Sequence, residues 1–158
     1  MRRQRLALTF PLALAIALAV AIGAACTARR PAPAVEFLTP YGAPTRPFSP
    51  AVRVGGLLFL SGQIGTDASA GGTLVPGGIG PETRRTLENI RDVLQRTGSS
   101  MDRVVKCTVM LADMREWDAM NVVYAEFFPA HKPARSALGA SGLALGARVE
   151  IECIAAVG

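Results

Sequence analysis

The sequence predicts an α+β domain, a single mixed β-sheet with two helices packed on one of its faces. Three observations carry this expectation. Val52 to Ser61 holds two short apolar runs around Gly55-Gly56, a hairpin signature with a two-residue turn. Two stretches with apolar residues every three or four positions, 81–98 and 113–128, are each followed by an extended segment. The last segment, Arg148 to Ala156, alternates as a strand does. The resulting order, β-β-α-β-α-β-β, gives one sheet covered by helices on one face.

The N-terminus stands apart from that domain. Arg2, Arg3 and Arg5 precede an apolar run from Leu6 to Ala25 that closes on the small residues Gly23-Ala24-Ala25. This is the order of a secretory signal peptide over residues 1–25, although about twenty apolar residues also suffice for a retained membrane anchor. Cys26 directly after Gly-Ala-Ala is similar to the lipobox of bacterial lipoproteins, with Gly23 where an aliphatic residue is usual. Lipidation of Cys26 and ordinary cleavage near Ala25 or Ala28 both stay open. Either route makes the chain exported, periplasmic or membrane-anchored through Cys26. Residues 26–43, rich in Ala, Pro and Arg, read as a flexible tether, and 44–158 as the folded domain.

Within the domain, Gly62 to Gly80 has many glycines and no periodicity, and reads as a loop that is exposed and mobile apart from its first residues beside Ser61. Pro81 suits the first turn of a helix and Glu82 the positive end of its dipole. Leu87, Ile90, Val93 and Leu94 form its apolar stripe, and Gly98 its stop. Val104 to Leu111 is a β-branched strand. Asp113 can cap a second helix, whose Trp117, Met120, Tyr124, Phe127 and Phe128 read as core packing. Pro129 and Pro133 end it, and Arg135–Leu138 and Arg148–Ala156 complete the sheet.

Composition excludes some classes of function. The 158 residues carry a formal charge of +5, but residues 1–25 hold three of the 17 basic residues and no acid, leaving 14 against 12. No basic cluster with interleaved aromatics remains, so no nucleic-acid face is expected. His131 is the only histidine and no Cys/His/Asp spacing supports a metal. Cys107 and Cys153 fall on the apolar sides of two strands, which suits buried thiols; in an oxidising compartment they would also be able to pair. The opposite sides mix Lys106, Thr108 and Met110 with Glu150, Glu152 and Ile154, a pattern better suited to a subunit interface or cleft than to a monomer core.

The chemistry-bearing residues are Arg135 and Glu150. Arginine presents a planar fork that matches a carboxylate with two parallel hydrogen bonds. A glutamate in a half-buried strand is costly unless it has a partner or a task. Together they describe a small pocket for a carboxylic acid with an acid/base group nearby. The bland alternatives are a salt bridge from Arg135 to Glu150 or Glu152, and an interface ion pair for Glu150. Ser61 reads as a strand-end hydrogen-bonding residue, since no histidine lies near it to make it a nucleophile.

Ser61-Gly62-Gln63-Ile64, Asn121 and Tyr124 before Phe127-Phe128, Pro133-Ala134-Arg135-Ser136 and Val149-Glu150-Ile151-Glu152 together resemble the Rid (YjgF) family, from about Pro47 to Ala156. That resemblance implies a chorismate-mutase-like (YjgF-like) fold and a homotrimer with clefts between subunits. It implies hydrolysis of enamine and imine acids such as 2-aminoacrylate to 2-oxo acids and ammonia, with no cofactor and no metal. By the same motifs Arg135 would grip the substrate carboxylate and Glu150 would hold the attacking water. Gly62 and Ser61 would lie against the ligand, and Asn121 beside the cleft. Phe48 stands where a tyrosine often lines the cleft and Ala137 where a cysteine often does.

Two further readings accompany this one. A non-catalytic trimeric ligand-binding or chaperone-like protein of the cell envelope is motivated by the export signal, because most chemistry that makes such imines is cytoplasmic. Ribonuclease activity, attributed to some relatives, is disfavoured by the low charge and the lack of a His/Lys set.

Overall fold

The fold starts earlier than the composition of residues 26–43 implies. A computed structural model describes residues 31–43 and 45–158, so the signal peptide expected over 1–25 and Cys26 lie outside the described residues. Within the expected tether, Val35–Leu38 forms strand β1. It pairs antiparallel with β2 (Ala51–Val54), from Val35↔Val54 to Leu38↔Ala51. Local composition reads as linker because β1 is almost wholly exposed; only the free edge of β2 makes it a strand.

β2 turns into β3 (Leu57–Leu60) at Gly55-Gly56, with Val54 paired to Leu57. Gly55 takes a φ of 56°, the left-handed value that this tight turn asks for. The segment 62–80 is more ordered than its glycine content suggests. Gln63–Ile64 (β4) pairs with the C-terminal strand, and Thr66–Asp67 (β5) pairs with Thr73–Leu74 (β6). Asp67 caps the 3₁₀ turn between β5 and β6 through the backbone N–H of Ser69. Paired strands this short carry no readable period.

Helix α1 runs over Ile79–Arg96, placing Pro81 in its first turn as expected. Gly98, at φ 83°, ends it: the Ser99 N–H returns to the Leu94 carbonyl at 2.8 Å. Strand β7 (Val104–Leu111) follows, then a 3₁₀ turn at Met114–Glu116 and helix α2 (Trp117–Glu126). Asp113 caps the 3₁₀ turn through the Arg115 N–H at 2.9 Å, and Arg115 holds its carboxyl down to about 2. Strand β8 (Ala134–Gly139) and β9 (Val149–Ala156) close the chain.

The sheet order is β1-β2-β3-β9-β7-β8, with β4 also on β9. Only β7 and β8 are parallel, joined by the α2 crossover, so the sheet is mixed. Both helices cover one face, with Leu58, Leu87, Ile90, Leu94, Leu111, Met120 and Ile151 fully buried between the layers. Each such side chain contributes about 1.5–3 kcal/mol on burial. On β7 and β9, Lys106, Thr108, Met110, Glu150, Glu152 and Ile154 sit on the opposite, uncovered face.

Cys107 and Cys153 are directly paired in the β7–β9 register and joined by a disulfide, their Cα atoms 4.1 Å apart. The buried-thiol expectation is thus corrected to a buried bond. It spans a sequence separation of 46. A loop of that length is worth about 4 kcal/mol if the entropy of the unfolded chain governs it.

Candidate functional site

Arg135 lies on β8, the edge strand, and its neighbour in the parallel register is Cys107. Paired residues of parallel strands point to the same face, so Arg135 projects to the helix side. There its guanidinium carbon sits 4.7 Å from the Tyr124 ring centroid and 5.1 Å from that of Trp117. Both distances are within the cation–π range. Among the described residues no carboxylate bridges to Arg135 and no acceptor takes its N–H groups. The expected alternative, a salt bridge to Glu150 or Glu152, does not form.

Trp117, Asn121 and Tyr124 stand at i, i+4 and i+7 of α2. That spacing puts them on one stripe of the helix, so Asn121, half-buried, belongs to the face on which Arg135 rests. The expectation that Trp117 and Tyr124 serve the core alone is incomplete: they also form the platform of the guanidinium. The signal was available in that spacing, combined with a parallel strand directly after the helix. Burial pushes the Tyr124 phenol up to about 12, against the opposing pull of Arg135. Its hydroxyl is buried without a hydrogen-bond partner.

Glu150 lies elsewhere. It pairs with Met110 on the uncovered face of β9 and with Ile64 of β4. Its neighbours Val149 and Ile151 point under the helices, so Glu150 points away from them. Its carboxylate packs against Gly62: a Cβ built on Gly62 would come within 2.9 Å of the Glu150 Cδ and closer still to Oε1. Gly62 is required here by space, since its φ is outside the left-handed range.

Ser61, one residue earlier, donates its hydroxyl to the Ser49 carbonyl at 2.7 Å and its N–H to the Pro50 carbonyl at 3.0 Å. This is the strand-end role expected of it. Those bonds tie the end of β3 to the segment carrying Phe48. Phe48 is half exposed and lines a cleft of about 400 Å³ with Gln63, Tyr41, Asn89 and Asp92. Arg46 sits 5.9 Å above the Phe48 ring.

Two half-sites result. One holds Arg135, Trp117, Asn121 and Tyr124 at the β8 edge, on the helix side. The other holds Glu150 and Gly62, next to Ser61, on the far side of the sheet; Phe48 lies apart from it, in the cleft it shares with Asn89 and Asp92 of α1. One chain brings Glu150 to Gly62 but does not bring Arg135 to Glu150. Among the described residues, no group of three His, Cys, Asp or Glu side chains is placed to hold a metal ion.

The comparisons agree with one another. Residues 40–157 match the family model described as Endoribonuclease L-PSP. The mouse 2-iminobutanoate/2-iminopropanoate deaminase is 43% identical over 112 residues, which span 71% of this chain and 82% of that protein. The crystal structure of YyfA from Yersinia pestis, described as a member of the conserved Rid protein family, superposes with a TM-score of 0.72 at 36% identity. That match covers 78% of this chain and all of that one. TdcF of E. coli, solved with bound serine, gives a TM-score of 0.68 at 29% identity and covers 73% of this chain and 92% of that one. The motifs, the mixed sheet under two helices and these matches converge: this chain belongs to the Endoribonuclease L-PSP, or Rid, family.

Proposed function

We propose that this protein is a hydrolytic deaminase of small 2-imino and enamine acids, such as 2-aminoacrylate, releasing a 2-oxo acid and ammonia. The observation that carries this reading is the unpaired Arg135 guanidinium on its Trp117–Tyr124 platform. The names of relatives above 40% identity support it. So does the serine held by TdcF, a small amino acid with a carboxylate.

A protonated imine carbon is already electrophilic. The protein needs only to orient the acid, place one water and move protons. Arg135 grips the carboxylate through two charge-assisted hydrogen bonds. Glu150 holds the water and takes its proton as the C–O bond forms, giving a carbinolamine. It passes that proton to the nitrogen, the C–N bond breaks to release ammonia, and the carbinol O–H gives its proton to solvent as the C=O forms. Because the two residues lie on opposite faces of one sheet, the complete cleft takes Arg135 from one subunit and Glu150 from another. A homotrimer satisfies this, and its contacts would cover the uncovered face of β3, β7 and β9, where Phe59 of β3 is 41% exposed.

We also propose that the chain is exported, to the periplasm or to a membrane through a lipid on Cys26; the order of residues 1–26 and the disulfide support this. The mass of the chain recovered from membranes tests the lipid.

Imines generated in place by an amino-acid oxidase, with semicarbazide trapping what survives, test the activity. Wild type is expected to deplete the trapped imine and Arg135→Ala is not. Equal and slow depletion by both would leave the second reading, a non-catalytic ligand-binding protein of the envelope. The separation of the two half-sites within one chain is what favours that alternative.

A further inference from the structure

We infer that the Cys107–Cys153 disulfide positions Arg135, so that the chain reaches full affinity for a carboxylate substrate only once this bond has formed. The inference rests on Arg135 being the carboxylate-gripping residue.

Arg135, Cys107 and Cys153 form one rung across three neighbouring strands. Arg135 is the partner of Cys107 in the β7–β8 register, and Cys107 is the partner of Cys153 in the β7–β9 register. All three point to the helix side. β8 is an edge strand whose one neighbour in the sheet is β7, so the backbone position of Arg135 is inherited from β7. β7 itself is irregular at this point: its register against β9 shifts between Val104 and Lys106, one residue before Cys107. A shift of this kind interrupts the ladder and lets the strand bend. The covalent bond therefore joins β7 to β9 one rung beyond Lys106↔Ile154, the first pair after the irregularity, and this is the rung that carries Arg135. Hydrogen bonds alone would leave that end of β7, and with it the guanidinium, freer to move relative to Tyr124 and Trp117.

The chemistry is thiol–disulfide exchange. Two thiols of the chain and one disulfide oxidant, a dithiol oxidoreductase in its oxidised form, give the Cys107–Cys153 bond and two thiols on the oxidant, which takes up the electron pair. Cys107 is fully buried and Cys153 is 2% exposed. Exchange therefore precedes closure of the helices over the sheet, and the finished bond is shielded from reductants. An oxidising compartment supplies the oxidant, which links full affinity to export.

The test uses the full chain in four forms: oxidised, refolded in reductant, Cys107→Ala/Cys153→Ala, and Val93→Ala. The last removes buried volume from α1, an element that carries no residue of the rung. Steady-state rates on imino acids and binding of a 2-oxo acid product are measured, with circular dichroism confirming the fold. A positioning role predicts a KM and a product Kd raised about fivefold or more in the reduced and double-alanine forms, with kcat within about twofold. Val93→Ala is expected to lose thermal stability without a change in KM.

A KM equal to wild type in the reduced and double-alanine chains, or one that rises equally in Val93→Ala, overturns the inference. So does failure of both cysteine forms to fold, which would make the bond a staple of folding only. Arg135→Ala, assayed in parallel, separates the two claims: if it turns over imines as wild type does, the carboxylate-grip reading falls instead.

Discussion

The carboxylate of Glu150 occupies the space that a side chain at Gly62 would need. The two residues come from segments nearly ninety positions apart, joined because β4 pairs with β9. The glycine is thus a condition for where the acid sits. Gly62→Ala is expected to push Glu150 out of position and lower kcat about tenfold or more, with KM little changed, because the acid acts on water and not on the substrate carboxylate. Glu150→Gln should show the same pattern. Steady-state kinetics check both, and a purely raised KM in either would contradict the role given to Glu150.

Arg135 should behave in the complementary way. Arg135→Ala is expected to raise KM by about 10²-fold, since a two-point charged contact is lost. Arg135→Lys is expected to recover only part of that, because an ammonium offers a point charge in place of a planar fork. Titration with a 2-oxo acid product measures both variants without the chemical step.

The aromatic platform divides into a packing part and an unused polar part. Trp117→Ala removes one face of the guanidinium's support and is expected to weaken substrate binding by about 1 kcal/mol, in the range of a partly exposed cation–π contact. Tyr124→Phe removes a hydroxyl that is buried without a partner. It is expected to leave stability unchanged or to raise it by about 1 kcal/mol. Thermal melts and KM together distinguish the two; a large loss of stability in Tyr124→Phe would reveal a bond to the hydroxyl.

Stability should fall in strong alkali. The chain has two tyrosines, and both phenols are pushed up to about 12, Tyr124 by burial and Tyr41 by burial together with its hydrogen bond to Asp92. In the unfolded chain each ionises near 10. Below 10 both states are protonated and stability does not depend on these groups; between about 10 and 12 the unfolded state releases protons first and is favoured. Denaturant midpoints measured across that window should decline, and decline less in Tyr124→Phe.

Much of this was legible in local patterns. The Gly55-Gly56 hairpin, the apolar period of α1 with its stop at Gly98 and the alternation of β9 each depend on neighbours a few positions away, so the chain declares them directly; Asp113 caps the 3₁₀ turn before α2 and not α2 itself. Arg135 and Glu150 were legible as residue types out of keeping with their surroundings, and Gly62 only through the resemblance of Ser61-Gly62-Gln63-Ile64 to the family. β1 and the short strands between Gly62 and Gly80 were not, because an exposed four-residue strand and two-residue strands become strands only when a distant edge accepts their hydrogen bonds.

The order of residues alone determined which side chains point under the helices, since a strand's two faces follow from counting by twos. It did not decide which strands would be neighbours. That choice, made by pairing across the whole sheet, set Cys107 against both Arg135 and Cys153, packed Glu150 onto Gly62, and left the arginine and the acid on opposite faces. Side-chain parity is a property of one strand, whereas register and neighbourhood are properties of the assembled sheet, and the division of the site into two halves belongs to the latter.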